Sequence, residues 1–310
     1  MSASQGKERS AYAAASLTLL VWSSSYAAIT YCLQAFSPGE LALLRFGVAS
    51  LLLLALAAVG VIKLPPRQDW PALIVLGLIG NTAYQLCLIY GMTRLSAGAA
   101  SVVISTVPSV TAVLAVLRLK EHLSRRAVLG LAIAFAGTLL VTLGRGHEIH
   151  FEPIAFLVFV AVLCSSIYFV WQKPLFARSS PLTISAASIF TGTLGFIPFG
   201  LDLPSKHAHV PGPQLMAALY LGVVPTVVGY LCWSFALSRA PASRVTSFLY
   251  LQPLFACAIA WVWLKEIPTW LTVAGGTLAI VGVVLATTQF TPAALWRRRV
   301  SAECVPTPEG

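Results

Sequence analysis

Turn-forming residues divide the chain into apolar stretches about 20 residues long, with almost no charge inside them. Stretches of that length match the hydrocarbon thickness of a bilayer, where every backbone amide has to be paired within its own helix. The pattern predicts ten spans. The first five are about Tyr12–Tyr31, Gly39–Val61, Pro71–Met92, Ala97–Leu117 and Ala127–Leu143. The second five are about Pro153–Trp171, Pro181–Leu201, Gln214–Leu237, Ser243–Leu264 and Trp270–Thr288. Composition supports this: 10% of the residues are charged and 58% are hydrophobic. A soluble domain carries about 25% charged residues, so this chain could not cover its own surface in water. Lys7 and Arg9 ahead of the first apolar run imitate a signal peptide, but no cleavage site follows, and the run reads as a retained span.

Ten spans place both termini on one side of the membrane. Of the 20 lysines and arginines, 15 fall on that side. Four (Arg94, Arg145, Lys206 and Lys265) fall on the other, and Arg45 lies inside the second span. Basic residues collect on the cytoplasmic face, so both termini are expected there. The same scatter excludes nucleic acid as a partner despite the net charge of +10, because no basic patch forms. The six cysteines lack metal-ligand spacing and read as small buried hydrophobes.

The chain repeats itself. At an offset of 145 residues, Arg94, Pro108, Leu119-Lys120-Glu121, Gly130 and Gly137 fall on Arg239, Pro253, Leu264-Lys265-Glu266, Gly275 and Gly282. The expected organisation is a cytoplasmic N-terminus (1–10), two five-helix repeats (11–146 and 147–289) and a disordered cytoplasmic tail (290–310). Five is odd, so the copies sit inverted, an arrangement that lets one half rock against the other around a shared site. The expected fold is an all-α integral membrane protein of ten transmembrane helices, built as two inverted five-helix repeats.

These features resemble the EamA-type members of the drug/metabolite transporter superfamily, from about Ala11 to Thr288. The resemblance implies a multi-pass inner-membrane permease, often an exporter of amino acids or other small metabolites. The aromatic-amino-acid exporters are the nearest comparison.

Polar and aromatic residues at helical spacing mark the expected path. Asn81, Tyr84 and Gln85 share one face of the third span. Trp22 and Tyr26, Tyr168 and Gln172, and Tyr230 and Trp233 make similar stripes in the first, sixth and eighth spans. Ser105 and Tyr250 add to them from the fourth and ninth. Such groups in hydrocarbon face protein or a cavity; the competing reading of the serines and threonines is interhelical glue. Pro108 and Pro253 are expected to kink their spans and act as hinges. Arg45 either snorkels outward or caps a carbonyl, pairs with Glu40 as an external gate, or attracts a carboxylate-bearing substrate. The Lys120-Glu121 and Lys265-Glu266 pairs read as interfacial ion pairs or latches, and the His147/His150 and His207/His209 pairs as solvated loop residues.

None of the ten acidic residues and none of the five histidines falls mid-span. The proton relays of pumps use such groups, so facilitated diffusion or weakly coupled export is expected. No nucleophile–base set or metal triad lies in the spans, so neither an enzyme nor a cofactor is expected. The expected partners are a small-molecule substrate and the lipid bilayer, with the protein a monomer or homodimer. Efflux of drug-like or nucleoside-like compounds is the alternative within transport, and a channel stands further off.

Overall fold

The computed structural model describes residues 3–95, 100, 103–143, 154–200, 211–255, 258–259 and 269–287, and no strand occurs among them. The helices of the first half are α1 (Ala3–Cys32), α2 (Pro38–Ala58), α3 (Arg67–Gly91), α4 (Val107–Leu119) and α5 (Arg125–Leu143). Those of the second are α6 (Ala155–Trp171), α7 (Pro181–Leu194), α8 (Gly212–Arg239), α9 (Ala242–Ser247) and α10 (Trp270–Thr287). Among the described residues five helices are long and apolar enough to cross a membrane, and further apolar helices are shorter. Their outward faces carry Leu51, Leu54, Leu117, Phe156 and Val284, all exposed, a surface suited to lipid.

Local sequence sets the helix starts. Ser37 accepts from the Glu40 amide while the Glu40 carboxylate accepts from the Ser37 amide, a capping box with Pro38 in the first turn of α2. Ser180 accepts from the Thr183 amide ahead of Pro181 and opens α7 in the same way. Helix α1 starts at Ala3, ahead of the span expected from Tyr12, because no proline interrupts the segment.

The fourth and ninth spans differ from expectation. Ser105 and Thr106 form a turn, and Pro108 lies in the first turn of α4, where its missing amide costs nothing. In the ninth, α9 passes into a 3-10 turn at Phe248–Leu251, and Pro253 follows in a helical piece over 252–255. The prolines restart interrupted helices rather than kink continuous ones.

Packing keeps its pattern when the two halves are exchanged. Helix α1 lies along α8, as α6 lies along α3. Helix α2 meets the middle of α8, as α7 meets the middle of α3. Helices α5 and α10 form the most extensive pair, crossing antiparallel through glycines. Gly130 lies against the backbone of Gly282 and Ala286, and Gly137 against that of Gly275 and Ala279. A side chain at either position would meet backbone atoms, the close approach that small residues allow between membrane helices.

Polar contacts gather at the end of the bundle that carries Ser10. Arg178 pairs with the buried Asp69 at 2.7 Å, and Arg239 donates to Ser10 at 3.1 Å. Lys173 donates to the carbonyls of Leu237 and Ala240. Glu121 forms no pair with Lys120; its carboxylate accepts from the amides of Ala242 and Ser243 and from the Ser243 hydroxyl at 2.6 Å, capping α9. Lys120 ends α4 in a left-handed backbone conformation, with φ 55°. Glu121→Ala is therefore expected to cost about 1–2 kcal/mol, the value of a lost helix cap. Thermal unfolding in detergent measures it, and an unchanged midpoint would show that the cap is dispensable. Lys265-Glu266, both histidine pairs and the 290–310 tail lie outside the described residues.

Candidate functional site

Within α3 and α8 the helix widens at matched places. Leu78–Ala83 in α3 and Gly222–Val228 in α8 are π-helical, the second around Pro225. Such wide turns recur at functional sites because they shift the side chains that follow. Here Tyr84 and Gln85 follow one, and Tyr230 the other, and all three face a cavity between the helices.

The empty space there comes to about 560 Å³, open solvent at its mouth included. Trp22, Ser25 and Tyr26 of α1 form one wall and Tyr84, Gln85 and Leu88 of α3 another, with Ser165 and Phe169 of α6 and Tyr230 of α8 opposite. The interrupted spans contribute in register: Ile104 and Val107 line it from the first half, and their counterparts at the 145-residue offset, Leu249 and Gln252, from the second.

The aromatic groups form one connected cluster. Trp22 stacks on Phe169 at 6.4 Å and 11°, meets Tyr230 edge-on at 5.7 Å, and lies 5.1 Å from Trp233. Its indole N–H donates to the Pro225 carbonyl at 3.0 Å, and Gly229 is bare where the ring rests. Tyr168 rests on Gly80 in the same manner.

Polar groups divide into paired and free. Both amide atoms of Gln85, and the Gln252 amide oxygen, are buried without a hydrogen-bond partner. Arg45 is 4% exposed; its Nε donates to the Thr226 hydroxyl at 2.6 Å. The outward-snorkelling reading fails, since Arg45 points into the bundle and lines the cavity. The gate reading fails as well, because Arg45 has no ion pair among the described residues.

Trp22, Tyr26, Arg45, Tyr84, Gln85 and Tyr230 of the expected residues thus meet around one space. Others serve packing. Asn81 donates to the Ser188 carbonyl at 2.7 Å, binding α3 to α7, and the Tyr168 hydroxyl shares a 2.9 Å bond with Ser188. The Gln172 carbonyl oxygen accepts from Ser234, and Trp233 is buried behind Trp22. Tyr250 bonds Ser109 at 2.5 Å in a separate cluster beside Phe135, and Ser105 is buried at the turn before α4. Thr82, Thr191, Ser185 and Ser50 likewise bridge helices, as glue. Phe169 and Gln252 were not singled out from sequence, although the repeat register places Gln252 opposite Val107.

The EamA-like transporter family model matches the chain twice, over residues 9–143 and again over 153–288. The chain belongs to the EamA-like transporter family. A 31% identical relative from Streptantibioticus cattleyicolor, described as "Probable terminal-alkyne amino-acid exporter", aligns over 87% of this chain and 90% of its own length. A 26% identical protein of Salmonella typhimurium, described as "Probable amino-acid metabolite efflux pump", aligns over 87% and 92%. One solved crystal structure shares the fold with a TM-score of 0.74 at 20% identity, covering 90% of this chain and 98% of that one. This EamA-like protein is a multi-pass transporter of the cell's inner membrane.

Proposed function

We propose that this EamA-like transporter exports amino acids, aromatic or otherwise neutral, or closely related metabolites, by alternating access. The observation that carries the reading is the cavity itself, where unpaired buried amides and an aromatic cluster face one space between the helices. Buried amides without partners are costly, and a bound solute relieves that cost. Rings beside amides suit a molecule with one polar and one apolar end. The names of the two relatives point to the same substrate class.

Ten spans in two inverted repeats, with both termini cytoplasmic, fit the helix pairs that persist on exchanging halves and the twofold family match. The basic-residue bias supplies the orientation. The contacts of Glu121, Lys173 and Arg178 tie neighbouring helices together at the Ser10 end. Rocking of one half against the other about the interrupted spans at Pro108 and Pro253 exposes the cavity to each side in turn.

Cells overproducing the protein and fed phenylalanine-containing dipeptides test the proposal. Free phenylalanine is expected to appear outside them faster than from cells without it. Release of phenylalanine, tyrosine, tryptophan and the aliphatic amino acids no faster than from cells without the protein would refute amino-acid export.

A further inference from the structure

We propose that Arg45 anchors the substrate through a carboxylate, and that a free ammonium group is not required for recognition. The inference rests on the cavity being the transport site and specifies what that site recognises.

Arg45 is buried, its Nε is occupied by Thr226, and its two terminal nitrogens have no hydrogen-bond partner among the described residues. A guanidinium carries five donors in a planar fork, so the pair of nitrogens left free matches the two oxygens of a carboxylate. A buried charge without a counter-ion is strongly unfavourable, more so within a membrane. The lining contains no aspartate or glutamate, so the cavity presents one positive charge and no negative one. A carboxylate entering it supplies the missing counter-ion.

Thr226 belongs to the π-helical turn of α8, and its hydroxyl also donates to the Leu221 carbonyl at 2.8 Å, leaving it an acceptor toward Arg45. The guanidinium is thereby held in place before substrate arrives, which lowers the ordering cost of binding. The amides of Gln85 and Gln252 supply further polar atoms for the same end of the molecule. Nothing in the lining offers a carboxylate to an ammonium; the faces of Trp22, Tyr84 and Tyr230 are its nearest equivalent. Recognition is therefore one-sided. The class admitted is the organic monocarboxylate with an apolar body, and amino acids are members of it by virtue of the carboxylate.

Binding to purified full-length protein in detergent tests this, read by tryptophan fluorescence with L-phenylalanine, 3-phenylpropionate and phenylethylamine as probes. Phenylalanine and 3-phenylpropionate are expected to bind within about tenfold of each other, and phenylethylamine at least ~100-fold more weakly. Arg45→Gln is expected to weaken the two carboxylates by ~10-fold to ~100-fold, with Arg45→Lys recovering part of the loss. If Arg45→Gln unfolds, the three-ligand comparison on the unaltered protein still decides. Binding of phenylethylamine as tight as that of phenylalanine would overturn the carboxylate anchor while leaving the aromatic cavity intact. Binding of 3-phenylpropionate without phenylalanine would keep the anchor and sink the amino-acid reading. Silence from all three, extended to short aliphatic carboxylates, would refute both.

Discussion

Leucine in place of Gly137 is expected to leave almost no folded protein in the membrane. Helices α5 and α10 touch through their backbones there, and a Cβ at 137 already meets the backbone of Gly275 and Ala279. Backbone cannot move aside as a flexible side chain can, so the helices must separate along their length. Overpacking of a well-filled core costs about 1–3 kcal/mol for small insertions, and an isobutyl group in a backbone contact exceeds that range. Gly137→Ala is expected to fold with a lowered melting temperature, Gly137→Leu to be lost. Size-exclusion profiles of the solubilised protein distinguish these, and a normal monodisperse peak for the leucine variant would contradict the crossing.

Trp22 is half-buried, so Trp22→Ala is expected to cost about 2–3 kcal/mol, below the range for removing a fully buried aromatic, and to abolish substrate binding with it. The indole joins three structural tasks: it stacks with Phe169, packs on Trp233 and Tyr230, and donates to the Pro225 carbonyl of the π-helical turn. Trp22→Phe keeps the ring contacts and loses the donor, so it is expected to recover most of the stability. A thermal midpoint for Trp22→Ala within a degree of the parent protein would show that the cluster contributes little.

The apolar stretches were legible because lipid fixes their length, and α2, α3, α5, α6, α8 and α10 begin and end within a few residues of the expected spans. Helix α1 starts earlier, and α4, α7 and α9 are shorter than the fourth, seventh and ninth spans. The Ser-Pro starts of α2 and α7 follow capping rules that act locally. Helix continuity was less legible. A proline mid-span predicts a kink, yet the chain ends one helix and begins another beside Pro108, because a proline is tolerated at a helix start and not within one.

Site residues divide in the same way. Spacing of three and four residues put Asn81, Tyr84 and Gln85 on one face, but the π-helical turn at Leu78–Ala83 changes the phase between them. Asn81 faces α7 while Tyr84 and Gln85 face the cavity. A regular period does not reveal where a wide turn lies. Ser and Thr were ambiguous for another reason: a hydroxyl binding a carbonyl of the next helix and one lining a cavity look alike in sequence. Arg45 was conspicuous as a charge inside a span, but its direction depended on Thr226, 181 residues away.

The most direct test is uptake of labelled phenylalanine into liposomes holding the purified protein, with and without a pH gradient, beside a Tyr84→Ala/Gln85→Ala variant. Saturable uptake that needs no gradient and disappears in the folded variant is the predicted result. No saturable uptake of any amino acid by the folded protein, or undiminished uptake by the variant, would contradict a carrier built around this cavity.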